Sequence, residues 1–295
     1  MSGDDKKPST LLDYLQLATG FLEGKGVVGA RLDAEVLLAH ALGLTRMELY
    51  TNFDRLLAPD EVDRFRELLR RRGAHEPAAY ITGEREFWSL AFTVDRRVLV
   101  PRPETEHLVE WALDAARERS DDSAGTDLRI LDLGTGSGAI AVALASELPG
   151  ARFVASDRSE AALEIAPANA KRHGVAERIE FVCAQTLDGM AERGPFDLIV
   201  SNPPYITEDE YRELSADVRE FEPKPALLAG VAGLDVIEPL VASAAVLLRS
   251  GGLLLIEVGT QADAVRDLFK AAGYHDVSVR QDLAGHDRIV GGRAS

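Results

Sequence analysis

At 295 residues and 46% hydrophobic content, the chain can build one large globular unit or two smaller ones. Its 49 acidic against 33 basic residues give a net charge of −16, which argues against affinity driven by neutralising nucleic-acid phosphates. A single cysteine, Cys183, excludes an internal disulfide and any multi-cysteine metal site, and the six histidines show no HExxH-type spacing. Set in "IEFVCA", Cys183 reads as a small buried residue. No apolar run reaches membrane-span length, and the polar start "MSGDDKKPST" carries no apolar signal region, so a cytoplasmic protein is expected.

Residues 1–82 read as a small helical bundle. "TLLDYLQLATGFL" carries an apolar stripe at Leu11, Leu12, Leu15, Ala18 and Leu22, and "ARLDAEVLLAHAL" repeats it at Leu32, Val36, Leu37 and Ala41. "APDEVDRFRELLRRRG" opens on Pro59 and acidic residues, ends on arginines, and is followed by Gly73, all of which suit a helix dipole. Its Arg64, Arg66, Arg70, Arg71 and Arg72 are expected to form a solvated face, with a docking patch for an acidic partner as the alternative. Nothing in this region looks catalytic, so its expected part is recognition or packing.

"EFWSLAFTVDRRVLV", residues 86–100, suggests a β-hairpin with its polar break at "DRR"; residues 83–101 form the expected joining segment. "PRPETEHLVEWALDAARE" starts a helix, with Pro103 in the first turn and Glu104 and Glu106 at its positive end. "RSDDSAGTD" reads as a loop.

From Leu128 the rhythm becomes strand, glycine loop, helix. "LRILDLGTGSGAIAVALASEL" is a buried strand, a glycine turn and a helix; "ARFVASD" is a second strand, and "SEAALEIAPANAKRHG" a helix interrupted or bent at Pro167. "IEFVCA", "FDLIVSN" and "GGLLLIEVG" supply three more strands, and "QADAVRDLFKAAG" another helix. "DVSVRQD" and "DRIVGG" form a closing pair. Such alternation predicts a mostly parallel sheet covered on both faces, over residues 102–295.

The turn "LDLGTGSG" puts Gly134, Gly136 and Gly138, with Thr135 and Ser137 between them, at a strand-to-helix junction where the backbone can approach a ligand closely. It matches neither GxGxxG, which needs glycine at Ala139, nor a Walker motif, which needs a lysine. Asp157 ends the second strand, 23 positions after Gly134, where a carboxylate can accept from both hydroxyls of a ribose. Loop and carboxylate together indicate a nucleoside cofactor, and both NAD and S-adenosylmethionine fit.

"SNPPYI" follows the apolar run "FDLIV". Two prolines remove two donors and fix two φ angles, which makes a rigid pocket edge. In a doubly wound sheet this fourth strand lies next to the first, so Asn202 comes beside the cofactor. The Asn202 side-chain oxygen and the Pro203 carbonyl can accept hydrogen bonds from a planar NH2 group, and Tyr205 can lie against it. A planar NH2 is a poor nucleophile, so catalysis here is mainly positioning, without a general base before the attack.

"NPPY" downstream of "LDLGTGSG" resembles the S-adenosylmethionine-dependent methyltransferases that act on planar NH2 groups. "YITGEREFWSLAFTVDRRVLVPRPETEHLVE" and "FEPKPALLAG" resemble the HemK/PrmC family of release factor glutamine methyltransferases, and the likeness covers nearly the whole chain. The related ribosomal-protein glutamine methyltransferases usually read PRSP where this chain has Pro101-Arg102-Pro103-Glu104.

The resemblance implies an α/β fold: a seven-stranded, mostly parallel class I (Rossmann-like) sheet with a small N-terminal helical bundle joined through a hairpin. It implies that Gly134, Thr135, Gly136, Ser137 and Gly138 cradle the methionine part of S-adenosylmethionine and that Asp157 holds its ribose. It implies that Asn202, Pro203, Pro204 and Tyr205 grip the glutamine of a Gly-Gly-Gln loop in class I release factors. Asn202, Pro203 and Tyr205 are then catalytic, with Asn202 also beside the cofactor, and Arg102–Glu106 borders the pocket.

Two departures stand out: Gln185 and Thr186 occupy places near the adenine where many members have an acidic and then a bulky residue, and Ala229-Gly230-Val231-Ala232-Gly233-Leu234 replaces Gly-Gly-x-x-Gly-Leu. The expected assembly is a monomer that touches neither membrane nor, directly, nucleic acid. An adenine-N6 methyltransferase is the runner-up, opposed by the acidic balance. A non-catalytic cofactor-binding scaffold is opposed by the intact NPPY, and a dehydrogenase lacks a hydride-transfer acid/base.

Overall fold

The computed structural model describes residues 9–119, 127–184, 187 and 189–295. It divides into two compact units: the helical segment through Gly83 together with Ala216–Phe221, and the remainder.

The helical unit contains α1 (Leu11–Gly24), α2 (Ala30–Leu42), α3 (Arg46–Thr51), α4 (Pro59–Gly73) and α5 (Ala78–Thr82). Thr10 and Asp13 form a capping box at the start of α1, and Thr45 and Glu48 another at α3, satisfying amides that a helix start leaves open. Pro59, Asp60 and Glu61 begin α4 and Arg70, Arg71 and Arg72 end it. The α1 stripe is buried at Leu11, Leu15, Ala18 and Leu22, which pack with Leu37, Leu38 and Phe65. Burying each such side chain contributes about 1.5–3 kcal/mol before entropy is counted. The α2 stripe is met only in part: Leu37 and Ala41 are buried as expected and Val36 is half-buried, but Leu32 is exposed, and Ala34 and Leu38 are buried in addition. A 13-residue helix that is apolar on several sides has no single stripe to read.

Arg64, Arg66 and Arg70 of α4 are solvated as expected, Arg71 is half-buried, and Arg72 departs from the face. Arg64, Arg66, Arg70 and Arg71 pair with Asp60, Asp63, Glu67 and Glu76. Arg72 is buried, 2.6 Å from Asp33 and 3.3 Å from Asp217. Asp217 lies in a helix far along the chain, and this ion pair helps explain why that segment counts with the helical unit. The buried Glu35 is held by Arg31, Arg46 and Tyr50 at 2.7–2.8 Å.

The second unit opens with a hairpin, β1 (Glu84–Phe87) and β2 (Leu90–Thr93), in register Phe87 with Leu90. Its turn is Trp88–Ser89, both at positive φ, and not Asp95–Arg97. A two-residue loop of this kind normally announces itself with Asn-Gly. Here Glu106 accepts from the Trp88 amide at 2.8 Å and Glu147 accepts from the indole N–H at 2.9 Å, and these contacts hold the conformation. The hairpin packs within this unit: Asn169 bonds both polar backbone groups of Thr93.

There follow α6 (Glu106–Arg119), β3 (Arg129–Leu133), α7 (Ala139–Glu147), β4 (Arg152–Asp157), α8 (Ala162–Arg172), β5 (Ile179–Cys183), β6 (Phe196–Ser201), α9 (Glu208–Glu213), α10 (Ala216–Phe221), α11 (Ile237–Ala244), β7 (Leu248–Glu257), α12 (Ala262–Ala271), β8 (His275–Gln281) and β9 (Asp287–Arg293). α10 is the segment that belongs to the helical unit.

The seven strands order as β5-β4-β3-β6-β7-β9-β8, parallel except for β9, which runs antiparallel to both its neighbours. This is the expected class I arrangement. Order reverses between β3 and β6, and a doubly wound sheet opens its ligand crevice beyond the carboxyl ends of those strands. Every residue of β6 is buried, as a central strand covered on both faces requires. α8 runs without interruption through Pro167. Cys183 is exposed, contrary to expectation, because β5 is an edge strand and Cys183 is its last residue.

Candidate active site

Strand register alone brings the key segments together. Leu133 pairs with Ser156 on one side and with Ser201 on the other, so Gly134 lies between Asp157 and Asn202. Parallel neighbours are about 4.8 Å apart. The Ser201 hydroxyl donates to the Leu133 carbonyl at 2.7 Å, which ties the two strand ends together at the crevice.

The loop after β3 turns on three glycines at positive φ: Gly134 at +77°, Gly136 at +55° and Gly138 at +83°. A Cβ at Gly134 or Gly136 would meet no heavy atom within 4 Å, so both face open space, while one at Gly138 would stand 3.2 Å from Ala166. The first two glycines therefore leave room for a ligand, and the third allows α7 to approach α8. The amides of Gly134 and Thr135 donate to the Ser156 carbonyl at 2.8 and 2.9 Å. Thr135 and Ser137 are buried and shape the turn from inside. Thr135 donates to Asp132 Oδ2 at 2.6 Å, and the Ala141 amide adds a bond at 3.1 Å. Burial nevertheless pushes the Asp132 carboxyl up to about 7, because a charge without water is costly.

Asp157 closes β4. Its Oδ2 accepts from the Gly136 amide at 2.8 Å and its Oδ1 from the Ser159 amide at 2.8 Å. The carboxylate thus braces the loop it stands beside. Each oxygen keeps a further lone pair, which suits it to a diol. Gln185 and Thr186, assigned to the adenine side, lie outside the described residues.

Asn202 Nδ2 donates to Thr105 Oγ1 at 3.1 Å. With the NH2 so engaged, the Asn202 side-chain oxygen is the atom left as an acceptor. Pro203 is buried, and Pro204 and Tyr205 are half-buried. Tyr205 is pinned at three points. Its carbonyl accepts from Gln261 Nε2 at 2.8 Å, its ring lies where a Gly259 Cβ would be 3.0 Å away, and its phenol reaches Glu257 Oε1 at 3.4 Å. Burial raises the phenol's pKa above its ordinary value. The chain after NPPY folds back alongside it: the Ile206 amide donates to Leu227, and the Ala229 amide donates to Ile206. In the variant loop that follows, Gly230 and Gly233 both take positive φ, at +77° and +70°.

Sequence reasoning left the roles within Arg102–Glu106 unassigned. Arg102 reaches the buried Glu222 of "FEPKP" at 2.7 Å, Thr105 orients Asn202, and Glu106 holds the hairpin turn. Glu257 was missed altogether. It ends β7 with 1% exposure, faces the Tyr205 phenol at 3.4 Å, and is pushed by burial up to about 7. Its position after the apolar run "LLLI" was the available signal, since a carboxylate ending a buried strand faces the same crevice as Asp157 and Asn202.

Three features fit a nucleoside-bearing methyl donor: an open glycine loop, a carboxylate at the next strand end, and an acceptor-bearing amide at the strand beyond. Among the described residues no cluster of His, Cys, Asp or Glu could hold a metal ion.

Comparison with known proteins agrees. Residues 13–83 match the PrmC N-terminal domain and residues 119–218 the methyltransferase small domain. A release factor glutamine methyltransferase of Rhodopirellula baltica is 44% identical over 96% of each chain. One from Vibrio cholerae is also 44% identical, again over 96% of both. The hMettl16 catalytic domain, solved with an RNA hairpin, is similar in fold alone: TM-score 0.56 and 17% identity, covering 73% of this chain and 79% of that one.

Proposed function

Since the chain belongs to the family of release factor glutamine methyltransferases, we propose that it methylates the N5 amide nitrogen of the glutamine in the Gly-Gly-Gln loop of class I release factors, with S-adenosylmethionine as donor. The observation that carries this is the strand register that sets Asn202 beside the glycine loop, with its Nδ2 engaged by Thr105.

In this proposal Gly134 to Gly138 hold the donor's methionine part and Asp157 accepts from its ribose hydroxyls. The donor supplies a methyl group on a positively charged sulfur, whose departure as a neutral thioether drives the transfer. Asn202 Oδ1 and the Pro203 carbonyl accept the two N–H groups of the substrate carboxamide and fix its nitrogen in line. A carboxamide lone pair is delocalised, so the attack needs orientation more than basicity. As the new N–C bond forms, the nitrogen becomes partly positive. Two acceptors already aimed at its protons then stabilise it more than they stabilised the ground state, and one of those protons leaves to water to give the neutral N-methyl amide. Pro203 and Pro204 keep this edge rigid, and Tyr205 borders it. The helical unit docks the release factor, and the enzyme works as a cytoplasmic monomer.

The test is transfer of label from S-adenosylmethionine to three acceptors offered separately: a class I release factor, its Gly-Gly-Gln variant with Gln→Ala, and unmethylated DNA. Label in the first alone is expected. Label in the Gln→Ala variant or in DNA overturns the assignment.

A further inference from the structure

The Gly-Gly-Gln loop proposed as substrate carries one side chain. Its two glycines offer backbone alone, so a clamp on the glutamine has little with which to tell a release factor from another exposed glutamine. Selectivity has to come from the surface around the clamp. Among the described residues, the larger unit exposes three large apolar side chains: Val231 at 83%, Val246 at 84% and Leu283 at 96%. Single exposed hydrophobics are ordinary. Two of these three, however, stand where the crevice opens.

Val231 lies in the loop that backs the NPPY segment. The Gly230 carbonyl accepts from the Glu208 amide at 3.2 Å, and the Asp235 amide closes the loop on the Ala229 carbonyl at 3.3 Å. Gly233 packs so closely that a Cβ there would stand 2.3 Å from the Tyr205 carbonyl oxygen. Fastened at both ends, the loop holds Val231 outward on the Tyr205 side of the crevice.

Leu283 lies in the turn between β8 and β9. β9 pairs with β7 in the register Ile289 with Glu257, and the Val258 amide donates to the Arg288 carbonyl at 2.8 Å. The turn, residues 282–286, therefore stands beyond the carboxyl end of β7. Two strand spacings of about 4.8 Å separate β9 from β6, the strand that leads into NPPY. Asp282 braces the turn. Its Oδ1 accepts from the Ala284 and His286 amides at 2.9 Å each, and its Oδ2 from Arg288 Nε at 2.8 Å. A side chain offered from a braced turn costs little ordering when a partner covers it. Val246, by contrast, precedes β7 and stands at the opposite end of the sheet.

We propose that Val231 and Leu283 are specificity-determining contacts, covered by apolar side chains of the release factor that flank its Gly-Gly-Gln loop when the glutamine enters the clamp. This rests on the substrate proposed above. The occupant is the release factor and not a second copy of this chain, because a second copy seated on this rim would close the entrance that the loop must use. Neither side chain touches the reacting atoms, so both act on substrate affinity and leave the chemical step alone.

The test is label transfer from S-adenosylmethionine by the full chain over a range of release factor concentrations. Leu283→Ser should raise KM for the release factor about tenfold and Val231→Ser about fivefold, through lost apolar burial. The double variant should show about the product of the two, because the contacts are separate. In all three kcat should stay within about twofold, as should S-adenosylmethionine affinity by calorimetry. Val246→Ser, equally exposed but far from the crevice, should match the wild type throughout. A double variant with wild-type KM, or one that loses kcat at unchanged KM, overturns the proposal. Sedimentation of the wild type as a dimer that the double variant dissolves, with KM unchanged, assigns the rim to a second copy and overturns it as well. A wild type that labels no release factor overturns the substrate reading and the rim contacts with it, whereas normal labelling by wild type and double variant alike removes the rim contacts alone.

Discussion

Gly233→Ala is a stringent probe of how tightly the NPPY segment is held. Gly233 has φ +70°, and a Cβ there would lie 2.3 Å from the Tyr205 carbonyl oxygen and 2.5 Å from Gln261 Nε2. Ordinary contact is about 3.5 Å, so the NPPY backbone must move by about 1 Å or the Gln261 bond to Tyr205 must break. Three costs combine: about 1–2 kcal/mol for a left-handed L residue, about 1–3 for the overlap and about 1 for the lost hydrogen bond. The total is about 3–6 kcal/mol. A shift of 1 Å in a positioning group can cost about 100-fold in rate. Gly285→Ala is the control: φ there is +81°, but nothing lies within 4 Å, so only the backbone cost of about 1–2 kcal/mol remains. Urea unfolding gives the stability difference between the two variants, and label transfer to release factor gives turnover, with cofactor affinity measured by calorimetry. Gly233→Ala should be the less stable variant and lose about 100-fold in turnover; Gly285→Ala should keep wild-type turnover. Equal stability and equal turnover in the two would refute the packing described around Tyr205.

Asp157→Ala should weaken S-adenosylmethionine binding at least about tenfold in calorimetry, since it removes the proposed ribose acceptor and the 2.8 Å brace on Gly136 together. Wild-type affinity would remove that assignment. Stability should also report two of the buried carboxylates. Asp132 and Glu257 both titrate near 7 in the folded chain because burial disfavours their charge, against ordinary values near 4. A folded-state pKa raised in this way gives stability that is fully present below the unfolded value and lost as pH rises through 7. Between pH 8 and pH 6 each group should therefore add about 1 kcal/mol to the unfolding free energy. Asp132→Asn should flatten this rise in urea denaturation, and an identical pH dependence in the variant would contradict it.

Much of the fold was legible because its signals are local. Apolar runs such as "FDLIV" and "LLLI" mark buried strands, and "LDLGTGSG" marks a strand-turn-helix junction whatever surrounds it. The strand order followed from that alternation, and with it the adjacency of Asn202 and Gly134. What stayed hidden depends on partners far along the chain. Thr105 and Asn202 are 97 positions apart, Tyr205 and Glu257 are 52 apart, and no spacing rule links either pair. Arg72 looked like its neighbours on α4 until Asp33 and Asp217 closed around it. The Trp88–Ser89 turn carries no residue that favours positive φ by itself, so the polar "DRR" drew the assignment instead. Cys183 sits in an apolar run, but only the sheet order reveals that its strand is at an edge.

The most direct measurement on the central claim is Asn202→Ala, assayed for S-adenosylmethionine affinity by calorimetry and for methyl transfer to a release factor. Loss of the carboxamide acceptor should leave cofactor affinity within a few-fold and reduce transfer at least about 1,000-fold. Transfer at the wild-type rate would show that the strand-end amide does not present the glutamine nitrogen to its methyl donor.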